Sequence, residues 1–172
     1  MNQRITILLS TLFFFLSIQT SIANETAGRV APACEGSSIP DAKNYNLQQF
    51  KGKVVYVDFW ASWCAPCVQS FPFMNSLEHE FKDKDFKVLA VNMDESAVDA
   101  QNFLKEHPAK FTVLNGSDQR CAKAFDVKAM PSSYLIDRNG VIRHEHLGFR
   151  AGETGQLQQF IKQLLSESPA SH

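Results

Sequence analysis

The stretch FWASWCAPCVQSFP, Phe59 to Pro72, holds both tryptophans of the chain, two of its four cysteines and two of its seven prolines. Cys64 and Cys67 are separated by two residues, a spacing open to three chemistries. A structural zinc site asks for four ligands, usually as two close pairs. Here there is one close pair, and Cys34 and Cys121 stand alone with no histidine at ligand spacing. A purely structural Cys64–Cys67 disulfide would close a small loop, the kind that constrains an unfolded chain least. Reversible thiol–disulfide exchange fits the surroundings better. It needs one activated sulfur and a second within bonding reach.

The flanking residues say how such a pair would be held. Lys53 to Phe59, KVVYVDF, is a near-continuous β-branched and aromatic run, the pattern of a central parallel strand buried on both faces. After the cysteines, Phe71, Met74, Leu77 and Phe81 recur at helical spacing. The pair therefore falls where a strand turns into a helix. A helix N-terminus carries roughly half a positive charge and free N–H groups, which favour a thiolate at Cys64. Cys67, three residues on, faces the same side one turn deeper. Cys64 is expected to be the exposed sulfur and Cys67 the covered one.

Further along, Phe86 to Met93 reads as a second buried strand and Val98 to Glu106 as a helix ended at Pro108. Phe111 to Leu114 reads as a short strand, and Asp118 as the cap of a short helix running to Phe125. SSYLID, the Asn139-Gly140 turn and VIRHEHL make a hairpin. Leu157, Phe160, Ile161, Leu164 and Leu165 form the apolar stripe of a last helix. Residues 24–46 read as tail and loop. This order predicts an α/β fold, a mixed central sheet with helices on both faces and an inserted helix-containing segment. His144 and His146 share a strand face; a weak metal pair is one reading, a solvated face the other.

The combination VDFWASWCAPC resembles the active-site segment of thioredoxins. Together with MPSSYLIDRNGVI it is similar to the exported TlpA/ResA-like branch of that superfamily, over about residues 36–167. The resemblance implies a thioredoxin-like fold and an exported thiol–disulfide oxidoreductase without cofactor or metal. Cys64 would attack and Cys67 would resolve the mixed disulfide. Pro131 would be a cis-proline facing the cysteines, Met130 would contact substrate backbone, and Trp63 would shield the disulfide, with Ala65 and Pro66 completing the substrate-facing surface. Asp58 matches the buried acid that shuttles a proton to the resolving cysteine in thioredoxins, although many TlpA-like proteins carry Asn there. The neighbouring lysine of thioredoxins corresponds to Ala90. Ser70 stands where ResA-like proteins of cytochrome c maturation carry Glu. Cys34 and Cys121 either bond each other or stay free; a second disulfide between them is what some TlpA-like relatives imply. Because Ala65 and Pro66 offer neither cation nor donor to stabilise the thiolate, the pair is expected to be reducing. An oxidase or isomerase, or a non-catalytic binding module, is the alternative.

The whole chain sets outer limits. Its 172 residues, 17 Lys+Arg and 18 Asp+Glu give one domain of near-zero net charge, with no basic stripe for nucleic acid. Arg4 before an apolar run, then Ser21 and Ala23, predicts a cleaved secretory signal over 1–23, with an uncleaved membrane anchor as the alternative. Residues 24–35 are then an N-terminal tail, 36–167 the thioredoxin-like domain and 168–172 a C-terminal tail. Bacterial periplasm is the expected compartment. Partners would be protein thiols and disulfides, with a membrane thiol-transfer protein as electron donor.

Overall fold

The structure is a computed structural model, and it describes residues 28–168. The expected signal segment 1–23 lies outside the described residues, as do most of the expected C-terminal tail and the start of the expected N-terminal one. A small hairpin of β1 (Glu35–Ser37) and β2 (Asn44–Asn46) precedes a 3-10 turn at Leu47–Phe50. The body then runs β3 (Val54–Trp60), α1 (Ala65–Glu80), β4 (Phe86–Asn92), α2 (Ala97–Glu106), β5 (Thr112–Asn115), α3 (Arg120–Phe125), β6 (Ser132–Ile136), β7 (Ile142–Leu147) and α4 (Thr154–Ser166).

The main sheet has the order β5-β4-β3-β6-β7. β3, β4 and β5 are parallel; β6 is antiparallel to β3, and β7 to β6. β3 is central, and all seven of its residues are buried, as its unbroken apolar run requires. Its alternating side chains divide the interior into two cores. Val54, Tyr56 and Trp60 pack under α1, α2 and α4 with Phe71, Met74, Phe103, Leu157 and Ile161. Val55, Val57 and Phe59 point the other way, against Phe125 of α3, Leu47 and Tyr134. Helices cover both faces of a mixed sheet, as the sequence predicts.

Some local expectations need correction. Residues 24–46 are not all loop: the three-residue strands β1 and β2 form there, too short and too polar to show an apolar period. Gly28, Val30 and Ala31 pair with the β6–β7 hairpin through Gly28 N–H to Ile142 O at 2.6 Å and Ala31 N–H to Gly140 O at 2.8 Å. The N-cap of α3 is Gln119, in left-handed conformation, not Asp118. Asp118 Oδ1 still accepts the Arg120 N–H at 3.0 Å, so the acid serves the helix start from one position earlier. The Asn139-Gly140 turn is as expected: Gly140 has φ of 80°, and Asp137 Oδ1 accepts from Asn139 N–H and Val141 N–H. His144 and His146 do not lie on a solvated face. Both are half-buried beneath α4, where His144 stacks on Phe160 with centroids 5.0 Å apart.

Candidate active site

β3 ends at Trp60, and α1 begins at Ala65 with Cys64 as its N-cap. Pro66 in the first turn suits a place where no intrahelical N–H is needed. Cys64 and Cys67 are joined as a disulfide with Cα atoms 5.3 Å apart. The Cys67 N–H donates to the Cys64 carbonyl at 3.0 Å. Neither sulfur-bearing residue is open: Cys67 is 0% exposed and Cys64 only 4%. The expected exposure of Cys64 is thus not met in the disulfide state, because its sulfur is tied inward to Cys67. Exposure lies instead with its neighbours, Trp63 at 71% and the exposed Ala65 and Pro66. Once the bond opens, a Cys64 thiolate would sit at the positive end of a sixteen-residue helix.

The Met130–Pro131 peptide bond is cis. Pro131 is buried and its carbonyl accepts the Gly148 N–H at 2.8 Å, so the residue just after β7 anchors the loop ahead of β6. Met130 and Trp63 line one groove of about 550 Å³, together with Met93, Asp94 and Ala129. Two of the five residues expected to face substrate, Trp63 and Met130, therefore line a single open cleft, whereas Ala65, Pro66 and Pro131 do not line it.

Asp58 is 1% exposed, and its Oδ2 has no hydrogen-bond partner. Alternation along β3 places it on the same face as Tyr56 and Trp60, the face that Cys67 packs against. Desolvation pushes its carboxyl well above the usual carboxylate range. Ala90 lies directly opposite it in β4, so no lysine stands at that neighbour. Trp60 is fully buried between Phe71 and Phe103, each ring centroid 4.8 Å away. Ser70 is buried, and its hydroxyl donates to the Cys67 carbonyl at 2.9 Å. It braces the helix turn that carries Cys67 and offers no charge to the thiols. Pro72 lies inside α1, which continues through it.

One part of the site was not singled out in the sequence. Both oxygens of Asp94 accept the Ser62 N–H at 3.1 Å, and Oδ1 also accepts the Ser62 hydroxyl at 3.0 Å. Asn92 Nδ2 donates to Asp94 Oδ2 at 2.7 Å. This buried clamp holds the loop between Trp60 and Cys64. Its signal in the sequence is the run of Asn92, Asp94, Glu95 and Ser96 closing a mostly apolar strand at the sheet's carboxyl edge, where α/β folds place their sites.

Cys34 and Cys121 are also bonded, with Cα atoms 4.8 Å apart, linking the segment before β1 to α3. Among the described residues no group of three or more His, Cys, Asp or Glu side chains could hold a metal ion, and no helix is long and apolar enough to cross a membrane.

A disulfide-bonded cysteine pair at a helix N-terminus, with a cis-proline loop lining the cleft at Trp63, defines a thioredoxin-fold redox centre, and comparison with known proteins agrees. The Redoxin family model matches residues 26–160, and the chain belongs to that family. A thiol-disulfide oxidoreductase ResA of Bacillus thuringiensis subsp. konkukian is 34% identical over 124 residues, covering 72% of this chain and 70% of its own. The ResA of Bacillus anthracis is 30% identical over 152 residues, covering 88% and 83%. Among solved structures, a Chlorobium tepidum protein assigned to the DsbE type of thiol:disulfide interchange protein superposes with a TM-score of 0.78. It is 42% identical and covers 81% of this chain and 98% of its own. The protein is a thiol–disulfide oxidoreductase of the ResA-like kind.

Proposed function

We propose that this oxidoreductase is an exported reductase of protein disulfides that works through Cys64 and Cys67. The observation that carries the reading is the Cys64–Cys67 pair at the start of α1, with an uncharged Ala65-Pro66 spacer and a buried acid behind it. In the reduced enzyme the Cys64 thiolate attacks one sulfur of a substrate disulfide, bonding to it and releasing the other as a thiolate that takes up a proton. Cys67 gives its proton to Asp58, then attacks the Cys64 sulfur and releases the second substrate sulfur. Two electrons pass from the dithiol to the substrate, and the enzyme is left as the disulfide. The cleft between Trp63 and Met130 receives an extended substrate segment, whose backbone can pair beside Pro131. No cofactor takes part. The spacer supports the reducing direction: neither residue brings a cation, and Pro66 has no N–H to offer a thiolate.

Export to a bacterial periplasm rests on the charged, apolar and small-residue pattern of residues 1–23. In that compartment a membrane thiol-transfer protein is the source of electrons, and the Cys34–Cys121 bond is a structural one.

The test is a pair of substitutions. Cys64→Ser is expected to abolish reduction of insulin disulfides. Cys67→Ser should capture substrates as stable mixed disulfides on Cys64, recoverable from the exported compartment. Full turnover by either variant would remove the dithiol mechanism. A reduction potential near that of strong oxidants, with the pair still essential, would turn the direction to oxidase.

A further inference from the structure

Asp58 poses a topological problem. As the proton acceptor of the reading above, it must exchange protons with solvent, yet it is 1% exposed and has Ala90 beside it in β4 and Cys67 packed on the same face. Burial favours its protonated form, and that form can accept from Cys67 only after its proton has left.

The polar groups near it lie to one side. Ser133 stands directly opposite Asp58 in the β3–β6 pairing, and His146 directly opposite Ser133 in the β6–β7 pairing. Residues directly opposite share a sheet face, so the three form a row under α1 and α4. Two strand spacings of about 4.8 Å separate its ends. Tyr56, two residues before Asp58, lies on that face; burial and the charge of Asp58 push its phenol up, while a hydrogen bond to Ser133 pulls it down. Tyr56 also lines a cavity of about 260 Å³ whose wall includes His146, His144, Arg150 and Glu153. His146 Nε2 lies 3.4 Å from Glu153 Oε2, and its side chain is 19% exposed. Phe73, Phe149, Leu157 and Phe160 also line it, and a cavity of that size with these polar groups in its lining has room for bridging water.

We propose that this cavity is the proton port of Asp58, with Tyr56 and Ser133 as the internal relay and His146 as the group that exchanges with solvent. The inference rests on Asp58 being the acceptor for Cys67. One proton moves per resolution. The Asp58 carboxyl hands it to the Tyr56 oxygen as the phenolic proton passes on, through Ser133 or cavity water, to the His146 imidazole and then to bulk water. The emptied carboxylate takes the Cys67 proton. No electrons move along this route. An imidazole suits the outer position because it accepts on one nitrogen and donates from the other. Glu153 and Arg150 set opposite charges near it, and His144 packs beside it with ring centroids 6.3 Å apart. Tyr56 acts through Asp58 and is a positioning and relay residue, not a group that touches substrate.

The experiment follows the second step alone. Reduced full-length protein is mixed rapidly with oxidised glutathione and quenched by acid and alkylation. Mass spectrometry then counts the reduced, mixed-disulfide and oxidised forms, from about pH 5 to about pH 9 in light and heavy water. Tyr56→Phe and His146→Ala are each expected to slow decay of the mixed disulfide by about tenfold while its formation is unchanged. Added imidazole should restore His146→Ala but not Tyr56→Phe. Tyr56→Phe keeps the ring that fills the core, so it reports even if His146→Ala fails to fold. Decay within about twofold of the native rate in Tyr56→Phe at every pH overturns the port. Asp58→Asn separates the two ideas. If it is slow while both other variants are normal, Asp58 keeps its role and the port is wrong. If it resolves at the native rate, the acceptor reading fails and the port falls with it.

Discussion

At the scale of single residues, Asp58 carries the sharpest thermodynamic consequence. An unfolded aspartate ionises near pH 3.9, whereas burial raises the folded carboxyl well above that. Between those two values the folded protein holds more protons than the unfolded chain, so stability falls as pH rises through the window and levels off above the folded value. Asp58→Asn has no such loss. Urea midpoints of the oxidised proteins, measured at a series of pH values, should show the variant gaining on the native protein as pH rises from about 4. A constant difference would mean that Asp58 is not held protonated. Asp58 was legible because a lone acid interrupts an apolar strand, and Cys64, Cys67 and Pro131 because their spacing is specific. The covered state of Cys64 was not legible, since it depends on which way a bonded sulfur turns. The inward setting of His144 and His146 was hidden for a similar reason: alternation tells which residues share a face, but not what lies over it.

At the scale of elements, the loop joining β3 to α1 is fixed by residues at and just beyond the end of β4. Asp94 and Asn92, both buried, receive and relay the hydrogen bonds of Ser62. Asp94→Ala leaves the Ser62 N–H and the Asn92 amide without their partner, a loss of about 2–3 kcal/mol. Chemical denaturation checks that figure, and insulin reduction should drop as well, because Cys64 follows Ser62 by two residues. Asp94→Asn, which retains one acceptor oxygen, should lose less on both measures. Gly116 bears on the same corner: its N–H donates to Asn92 O at 2.8 Å, and a Cβ there would fall 2.5 Å from Val91 Cγ1. The long strands were legible from their unbroken apolar runs, and α1 and α4 from helical spacing. β1 and β2 were not, because three-residue strands give no alternation to read; their hairpin lies against β5, with Ser38 bridged to Leu114.

At the scale of the whole molecule, two disulfides do different work. Cys64–Cys67 spans a sequence separation of 3, and Cys34–Cys121 one of 87. Only the second closes a long loop, worth about 4–5 kcal/mol in the chain-entropy model. The double variant Cys34→Ser/Cys121→Ser should therefore lose roughly that much in denaturant unfolding, while the order of events at Cys64 and Cys67 stays the same. An unchanged midpoint would show that the N-terminal segment holds without it. The layered architecture followed from the sequence of elements, but the clasp of the N-terminal segment onto the body rests on contacts between residues far apart in the chain. That clasp has a directional meaning. Ser132 begins β6 beside Pro131 at the catalytic end, whereas Ile142, which receives the Gly28 N–H, belongs to the other end of the sheet. The first described residues thus dock at the pole remote from Cys64 and Cys67, and leave the mouth between Trp63 and Met130 clear for arriving clients.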